Sequence, residues 1–587
     1  MNSISVTDKN WIIRDCNQEK VTYLKDNFAL DEITAKLISL RNIKNEDINS
    51  FLDPSIKNFL PNPNELLDMN KASIRTFSLI KDNQKIGIFG DYDVDGAAST
   101  ALLGRYLEEL KLDYEIYIPD RKTEGYGPSI KGFEELIKKE VKIIFTVDCG
   151  TLSFHEIDYA KKHNVDVIVL DHHQSDIKLP SAFSIVNPNR IDDKSNLNYL
   201  CASGVTFMFL VSLNRLIRSK NWFKENSIEE PNLLLYLDLV SLGTVCDVVP
   251  LVGLNRAFVK QGLKIIKKKK NLGIKTLLDI CKIENSPSIY HLGYLLGPRI
   301  NAGGRVGKCS HGANLLIKSN PQEVFKLASE LNEFNNQRKI LEQDLLKKIL
   351  ENPNNNFNDP VLIIQDKNLH EGVIGIIASR IKDKFNKPTI IISFNKNIGK
   401  GSARSIVGFD IGSTILSATN NNILLKGGGH KMAGGFSIDS SKINLFKDFL
   451  FNKYKKFNEI IPKQKSLFID SIIAPSAVNL DFYEKVELLS PFGSGNPEPK
   501  FVMENLKAVN NKIVGKKHIK SVLVGPEGSN IKTITFNATE NELGAYLLTK
   551  KSNAFNIAGK LSLNEWRGQK NVEFIIDDIS VNKNVKN

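Results

Sequence analysis

The sequence is poor in the residues that staple or anchor a chain. It has six cysteines in 587 residues, at 16, 149, 201, 246, 281 and 309. They form no CxxC pair and no even spacing, which excludes a disulfide framework and a thiolate zinc site on the usual spacings. No apolar run approaches the roughly 18 residues of a membrane-spanning helix. The opening MNSISVTDKNW has acidic and polar residues where a secretory signal would have basic and then apolar ones. These absences predict a cytoplasmic protein with no membrane attachment. Acids are also in deficit, 66 against 79 Lys and Arg, for a net charge of +13. Lysine and asparagine are abundant at ordinary surface positions, so the charge suits a polyanion partner without establishing one.

What is present is an ordinary globular composition, 41% hydrophobic and 25% charged, in a chain long enough for three to four domains. Residues 1–60 read as short helical pieces, with 30–43 the clearest. A strand-then-helix rhythm follows: KIGIFG (85–90), a helix over 97–111, YEIYIP (114–119), VKIIFTVD (141–148) and VDVIVLD (165–171). Val/Ile-rich strands alternating with helices predict a parallel sheet covered on both faces. An apolar helix spans 231–245 and a long one 321–351, ending at the Asn/Pro-rich linker 352–360. The rhythm restarts with a strand (360–366), a helix (373–385) and a strand (388–394). From about 465, six short β runs predict a small barrel or sandwich.

The chemistry lies where the acids fall. KIGIFG runs directly into DYDVDG, so Asp91, Asp93 and Asp95 alternate just past a strand's carboxyl end, on one side of an extended chain. Asp148 ends one strand, and Asp171, His172 and His173 end another. Asp247 follows the 231–245 helix. In open α/β sheets, ligands bind beyond the carboxyl ends of the strands. Any one of these acids alone would read as a helix N-cap or a solvated turn. A calcium loop fails for want of Glu at the twelfth loop position, and no GxGxxG fingerprint follows a strand. Taken together, oxygen ligands with one or two imidazoles suit Mg²⁺ or Mn²⁺ better than zinc. There are enough carboxylates for two ions, an arrangement that serves displacement at phosphorus. The residues thus point to a metal-dependent phosphoesterase.

The order DYDVDG, TVDCGT, DHH and GTVCDVVPL resembles the motifs of the DHH phosphoesterase superfamily. IPDRKTEGYG (118–127), GPRINAGGR (297–305), HEGVIGIIASR (370–380), GSARS (401–405), GGGHKMAGG (427–435) and PFGSGNPEP (491–499) narrow the resemblance to the RecJ family. That family comprises bacterial single-strand-specific DNA exonucleases that digest from the 5′ end. The resemblance covers residues 60 to 580. It implies an α/β fold with a DHH parallel-sheet domain (61–320) after the N-terminal segment (1–60), and a connecting helix and linker (321–359). A smaller DHHA1 α/β domain (360–460) and an OB-fold barrel (461–587) complete it.

By motif, the resemblance implies Asp93, Asp95, Asp148, His172 and Asp247 as ligands of two Mg²⁺ or Mn²⁺ ions. His173 would be a further metal contact or a donor to the scissile phosphate, and Asp91 would orient ligands from behind. The glycines of GGGHKMAGG, with Gly428, Gly429 and His430, would let backbone N–H groups approach an anion as in phosphate loops. Arg404 would assist, Arg299 and Arg305 would contact the nucleic-acid backbone or the transition-state charge, and Asn301 would bind substrate. Phe468, Phe492, Phe536 and Trp566 are candidate stacking residues in the barrel.

The implied function is 5′→3′ degradation of single-stranded DNA to 5′-mononucleotides in recombination and repair. The implied protein is a monomer whose partners are single-strand binding protein and a helicase. The alternatives are a DHH-type phosphodiesterase of short oligonucleotides or cyclic dinucleotides, and a scaffold that has lost its metal ligands. The barrel argues against the first and the filled ligand positions against the second.

Overall fold

The computed structural model describes residues 3–121, 123–284, 286–367, 369–457, 464–549, 554–566 and 568–582. The chain divides into two compact units. One comprises Leu60–Val249 and Ala257–Pro462; the other comprises Met1–Phe59, Pro250–Arg256 and Lys463–Asn587.

The larger unit opens with a five-stranded, wholly parallel sheet. Its spatial order is Tyr114–Tyr117, Ile86–Gly90, Ile143–Val147, Asp166–Leu170 and Ser184–Val186. In chain order this is 2-1-3-4-5, so the direction of winding reverses between the first strand and the third. That gap is where open α/β sheets bind their ligands. Strands Ile86–Gly90 and Ile143–Val147 are buried at every residue, as the continuous Val/Ile/Phe runs require of a sheet covered on both faces. One face packs Phe89, Ile144 and Val169 against Phe133, Leu136 and Ile157. Beyond the other, helix Val94–Glu109 packs on helix Ala202–Ser219. The segment 231–245 is a 3₁₀ turn, Leu233–Tyr236, followed by a helix that starts later than expected, Leu237–Cys246.

Helix Pro321–Glu351 starts with Pro after an Asn320 cap that accepts from Gln322 and Glu323, the expected helix-start chemistry. It leads into a second five-stranded sheet. The order is Lys426–His430, Ala433–Asp439, Ile398–Arg404, Thr389–Asn395 and Leu362–Asp366, antiparallel except for the last pair. The glycine-dense stretch read as a phosphate loop is therefore an edge hairpin, whose backbone pairs Gly428 with Gly435 and Gly429 with Gly434.

In the smaller unit, Phe501–Val514, His518–Val524, Asn530–Thr535, Gln569–Asn582 and Phe555–Trp566 close into a five-stranded barrel. Within the segment read as helical pieces, Ser3–Ser5 and Lys9–Ile13 are strands. Ser3–Ser5 pairs with the last barrel strand, and Lys9–Ile13 pairs with Lys465–Ile469. Asp578, fully buried, accepts from Ser5 Oγ, Thr7 Oγ1 and Trp11 Nε1 at 2.6–2.8 Å. Leu24, Leu37 and Ile38 share one core with Phe501, Leu523 and Phe574.

The PFGSGNPEP stretch clamps this unit. The guanidinium of Arg256, 1% exposed, donates to the carbonyls of Phe51, Leu489, Ser490 and Pro491 at 2.7–3.3 Å. Asn496 donates to Leu489 and Pro491. Of the candidate stacking residues, Phe468 and Phe536 are exposed, and Phe492 packs against the core. The Trp566 side chain lies outside the described residues.

Candidate metal centre and phosphate pocket

Gly90, Val147 and Leu170 are in register across the three central strands of the parallel sheet. The ladder continues one residue further, with Asp91 N donating to Val147 O, Asp148 N to Leu170 O and Asp171 N to Val186 O. Asp91, Asp148 and Asp171 therefore form one row at the carboxyl edge, across the switch point. Asp148 has a left-handed backbone (φ 61°), and Gly150 after it has φ 111°. A Cβ on Gly150 would lie 2.4 Å from Thr146 Oγ1, so glycine is needed for this turn. A left-handed Asp is tolerated at modest cost and places its carboxylate over the sheet edge.

The row's members differ in role. Asp171 is saturated: Oδ2 accepts from Thr151 N and Oγ1, and Oδ1 from His172 N, His173 N and His173 Nδ1, at 2.6–3.2 Å. Asn187 reinforces the turn by donating to Thr151 Oγ1 and to the His173 carbonyl. Asp171 therefore aims the imidazoles.

Ligand atoms from the remaining acids and histidines fall into three groups, each close enough to share an ion: Asp91, Asp93 and Asp148; Asp95, His172 and Asp247; Asp148, His172 and His173. Every expected ligand is thus brought together. Asp91, expected to orient ligands from behind, has a carboxylate oxygen close enough to Asp93 and Asp148 to share an ion with them.

The fit to cations is shown by the atoms left over. Asp91 Oδ1, Asp148 Oδ1 and Asp247 Oδ2 are buried and accept no hydrogen bond, although His172 Nε2 lies 3.3 Å from Asp148 and 3.6 Å from Asp247. Burial, followed by the charge of Asp93, pushes Asp91 well above the usual carboxylate range. Burial and the charges of Asp93, Asp95, Asp91 and Asp247 do the same to Asp148. Asp247 is pushed up to about 8 by burial and by Asp95 and Asp93. It also caps the C-terminal end of its helix, where the macrodipole disfavours an anion. Without a cation these groups cost free energy; divalent ions relieve all of them.

Asp95 is held from a distance. Its oxygens accept from Ala202 N at 2.6 Å and Ser203 N at 3.0 Å, the first amides of helix Ala202–Ser219, whose own N-cap, Cys201, offers no side-chain bond. Gly243 makes room for it, since a Cβ there would lie 2.4 Å from Asp95 Oδ1.

Histidine protonation follows the partners. Burial lowers His172, as suits a neutral metal-binding imidazole. Burial opposes charge on His173 too, but its bond to Asp171 raises it to about 9. Tyr126, not singled out from sequence, donates from Oη to the Asp148 carbonyl at 2.9 Å and lies 3.1 Å from the His173 ring nitrogens.

A cavity of about 220 Å³ adjoins the carboxylates, lined by Asp91, Tyr92, Asp93, Arg121, Tyr126, Asn301 and Arg305. Arg305 donates to the Gly372 carbonyl at 3.0 Å. Burial, then the charges of Arg121, Arg338 and Arg404, lowers Arg305 to about 10. Burial and Arg121 likewise lower Arg404. These are half-buried, mutually repelling guanidiniums, for which an anion is the natural counterpart. Arg121 lies in IPDRKTEGYG, where the PDR run was the available signal. In the second sheet Arg404 pairs with Ala433, which pairs with His430, so both lie in one row. A Cβ on Gly428 would meet nothing within 4 Å, so the surface there is open. Arg299 is not brought into the cavity, since its guanidinium donates to Asn332 and to the Leu295 carbonyl.

The centre is that of a two-metal phosphoesterase with DHH architecture, and comparison with known proteins agrees. Family models match for the DHH family N-terminal domain at residues 85–244, the DHHA1 domain at 358–456 and the RecJ OB domain at 469–578. The single-stranded-DNA-specific exonuclease RecJ of Escherichia coli is 33% identical over 551 residues, covering 90% of this chain and 92% of that protein. RecJ of Bacillus subtilis is 30% identical over 587 residues, 98% of this chain and 71% of that one. The crystal structure of Thermus thermophilus RecJ with Mn²⁺ superposes with a TM-score of 0.80 at 26% identity, covering 97% of this chain and 79% of that one. The chain belongs to the RecJ family.

Proposed function

We infer that the chain is a metal-dependent exonuclease that degrades single-stranded DNA 5′→3′ to 5′-mononucleotides in recombination and repair. The observation that carries this is the cluster of carboxylates in which Asp91, Asp148 and Asp247 each keep an unpartnered buried oxygen, beside an arginine-lined cavity. Asp91, Asp93, Asp95, Asp148, His172 and Asp247 would hold two Mg²⁺ or Mn²⁺ ions. When bound, such ions generate hydroxide near neutral pH and stabilise charge at phosphorus. Arg121, Arg305 and Arg404, with Asn301 and the open edge at Gly428, Gly429 and His430, take the 5′-terminal phosphate. The next phosphodiester then lies on the carboxylate side. His173, held by Asp171 and Tyr126, is the donor available to the scissile phosphate.

A cavity lined by Arg121 and Arg305 that adjoins the carboxylates offers a seat for a 5′-terminal phosphate, which supports the polarity and the mononucleotide product. The barrel supports longer strands over dinucleotides, because small OB barrels bind single strands. Family likeness also supports a cytoplasmic monomer that works with single-strand binding protein and a helicase. Release of labelled mononucleotide from 5′-labelled single-stranded DNA, against blunt duplex and a dinucleotide, tests the reading. Equal digestion of duplex, or hydrolysis of the dinucleotide alone, overturns it.

A further inference from the structure

Arg121 reaches the cavity beside Asp91 and Asp93 from the segment IPDRKTEGYG, and its guanidinium lies 5.4 Å from the centre of the Tyr92 ring. Between Asp120 and Tyr126 that segment has little apolar packing. Thr123 and Tyr126 are exposed, and Gly125 and Gly127 have left-handed backbones (φ 90° and 81°). A Cβ on Gly125 would meet nothing within 4 Å. Few buried apolar contacts mark a segment that opens easily. Glu124 is the exception, with a side chain only 8% exposed.

Its carboxylate collects three donors. Oε2 accepts from Ser129 Oγ at 2.6 Å and Oε1 from Asp120 N at 3.0 Å, while both oxygens lie within 3.0 Å of Tyr117 Oη. Burial opposes charge on Glu124, but the bonds from Ser129, Asp120 and Tyr117 outweigh it and hold the carboxyl below its usual range.

These bonds run to three different places. Asp120 N closes the turn that carries Arg121, since Glu124 N donates back to Asp120 O at 2.8 Å. Ser129 caps helix Ile130–Lys138 by accepting from Gly132 N. Tyr117 ends the strand beside Ile86–Gly90, where it is the register partner of Phe89 and stacks on that ring at 5.5 Å. Phe89 stands two residues before Asp91. Tyr126, further along the segment, has its own anchor in the Asp148 carbonyl. Arg121 is tied to the sheet through Glu124.

We propose that Glu124 is the positioning residue for Arg121: it fastens the turn carrying this guanidinium to the strand beside the metal-binding acids, and so sets the preference for a 5′-phosphorylated end. This rests on the exonuclease reading, in which Arg121 takes the 5′-terminal phosphate. Guanidinium–phosphate bonds are directional, so a turn that shifts loses them while the fold stands.

The test measures kcat and KM in Mn²⁺ on thymidine strands of about twelve nucleotides bearing a 5′-phosphate or a 5′-hydroxyl. Glu124→Ala should raise KM about tenfold on the phosphorylated strand alone, as for one charge-assisted contact, with kcat retained. Tyr117→Phe keeps the ring on Phe89 and should move KM the same way by less; it decides the question if Glu124→Ala does not fold. Added to Arg121→Ala, Glu124→Ala should cost nothing more, because both remove the same contact. An unchanged KM, a loss equal on both ends, losses that add, or an unsubstituted protein indifferent to the 5′-phosphate overturns the proposal. If the unsubstituted protein degrades no DNA, the exonuclease reading itself fails. Fluorescence anisotropy of the same two strands in Mn²⁺ then decides Glu124, whose loss must weaken binding of the phosphorylated strand alone.

Discussion

Asp171 Oδ1 accepts from His173 Nδ1 at 2.8 Å, and this bond decides which histidine does what. It fixes the ring and holds a proton on Nδ1, while Asp171 itself, with five donors around it, has no capacity left for a cation. The adjacent His172, without such a bond, stays neutral and reaches Asp148 and Asp247. Asp171→Asn keeps the shape and removes the charge. Loss of such orienting partners weakens metal sites by about 10–100-fold, so Mn²⁺ titration of activity should shift by that factor while the melting temperature moves little.

The metal-free protein should lose stability as pH rises. Asp91, Asp148 and Asp247 have folded-state pKa values above the unfolded value, Asp247 at about 8. Between the unfolded and folded values the native state binds more protons, so the free energy of unfolding falls with pH. A melting curve in EDTA should therefore have a higher midpoint at about pH 5.5 than at about pH 8. Mn²⁺ should restore more at the higher pH, since ligands must be deprotonated to bind it. A midpoint in EDTA that rises across this range contradicts the assignment.

Gly243→Ala tests how Asp95 is held. The added methyl would sit 2.2 Å from Ser203 Oγ and 2.4 Å from Asp95 Oδ1, so the carboxylate must leave the helix amides. Activity should fall about 100-fold or more with weakened metal dependence, because about 1 Å of misplacement has effects of that order. Unchanged activity would mean that Asp95 has no ligand role.

Arg305→Ala and Arg121→Ala should weaken the advantage of a 5′-phosphate over a 5′-hydroxyl. Comparing kcat/KM for the two ends isolates this, since a strand without the phosphate has nothing to lose. A drop of about tenfold on the phosphorylated end alone is expected for one charge-assisted contact. An equal drop on both ends would assign these arginines to the fold.

Arg256→Ala tests the smaller unit. The Phe51 and Ser490 carbonyls would lose this donor while Leu489 and Pro491 keep Asn496, and buried acceptors left unpaired cost about 1–3 kcal/mol each before relaxation. A melting transition lowered by several degrees is expected, without any change in metal affinity.

Legibility followed locality. The strands carrying Asp91, Asp148 and His172 were visible because Val/Ile runs end in acids, and helix Pro321–Glu351 because Asn320 and Pro321 mark its start. The row itself was not visible, since the register of Gly90, Val147 and Leu170 is a tertiary fact. Strands Ser3–Ser5 and Lys9–Ile13 exist through partners more than 450 residues away, which no local window reports. Glycine density at 427–435 suggests a loop, but its strands are set by pairing with Ile398–Arg404. Helix Ala202–Ser219 lacks a cap of its own because Asp95 supplies it from another element. Tyr126 and Arg121 were quoted within a motif, yet only the contact of Tyr126 with His173 and the place of Arg121 in the cavity wall beside Arg305 give them roles.

The most direct measurement is nucleotide release from single-stranded DNA labelled at its 5′ end, in Mg²⁺, Mn²⁺ or EDTA, with blunt duplex and the Asp148→Ala protein alongside. The account predicts labelled mononucleotide from the single strand only, with metal only, and from the unsubstituted protein only. Release that survives EDTA or Asp148→Ala would contradict it.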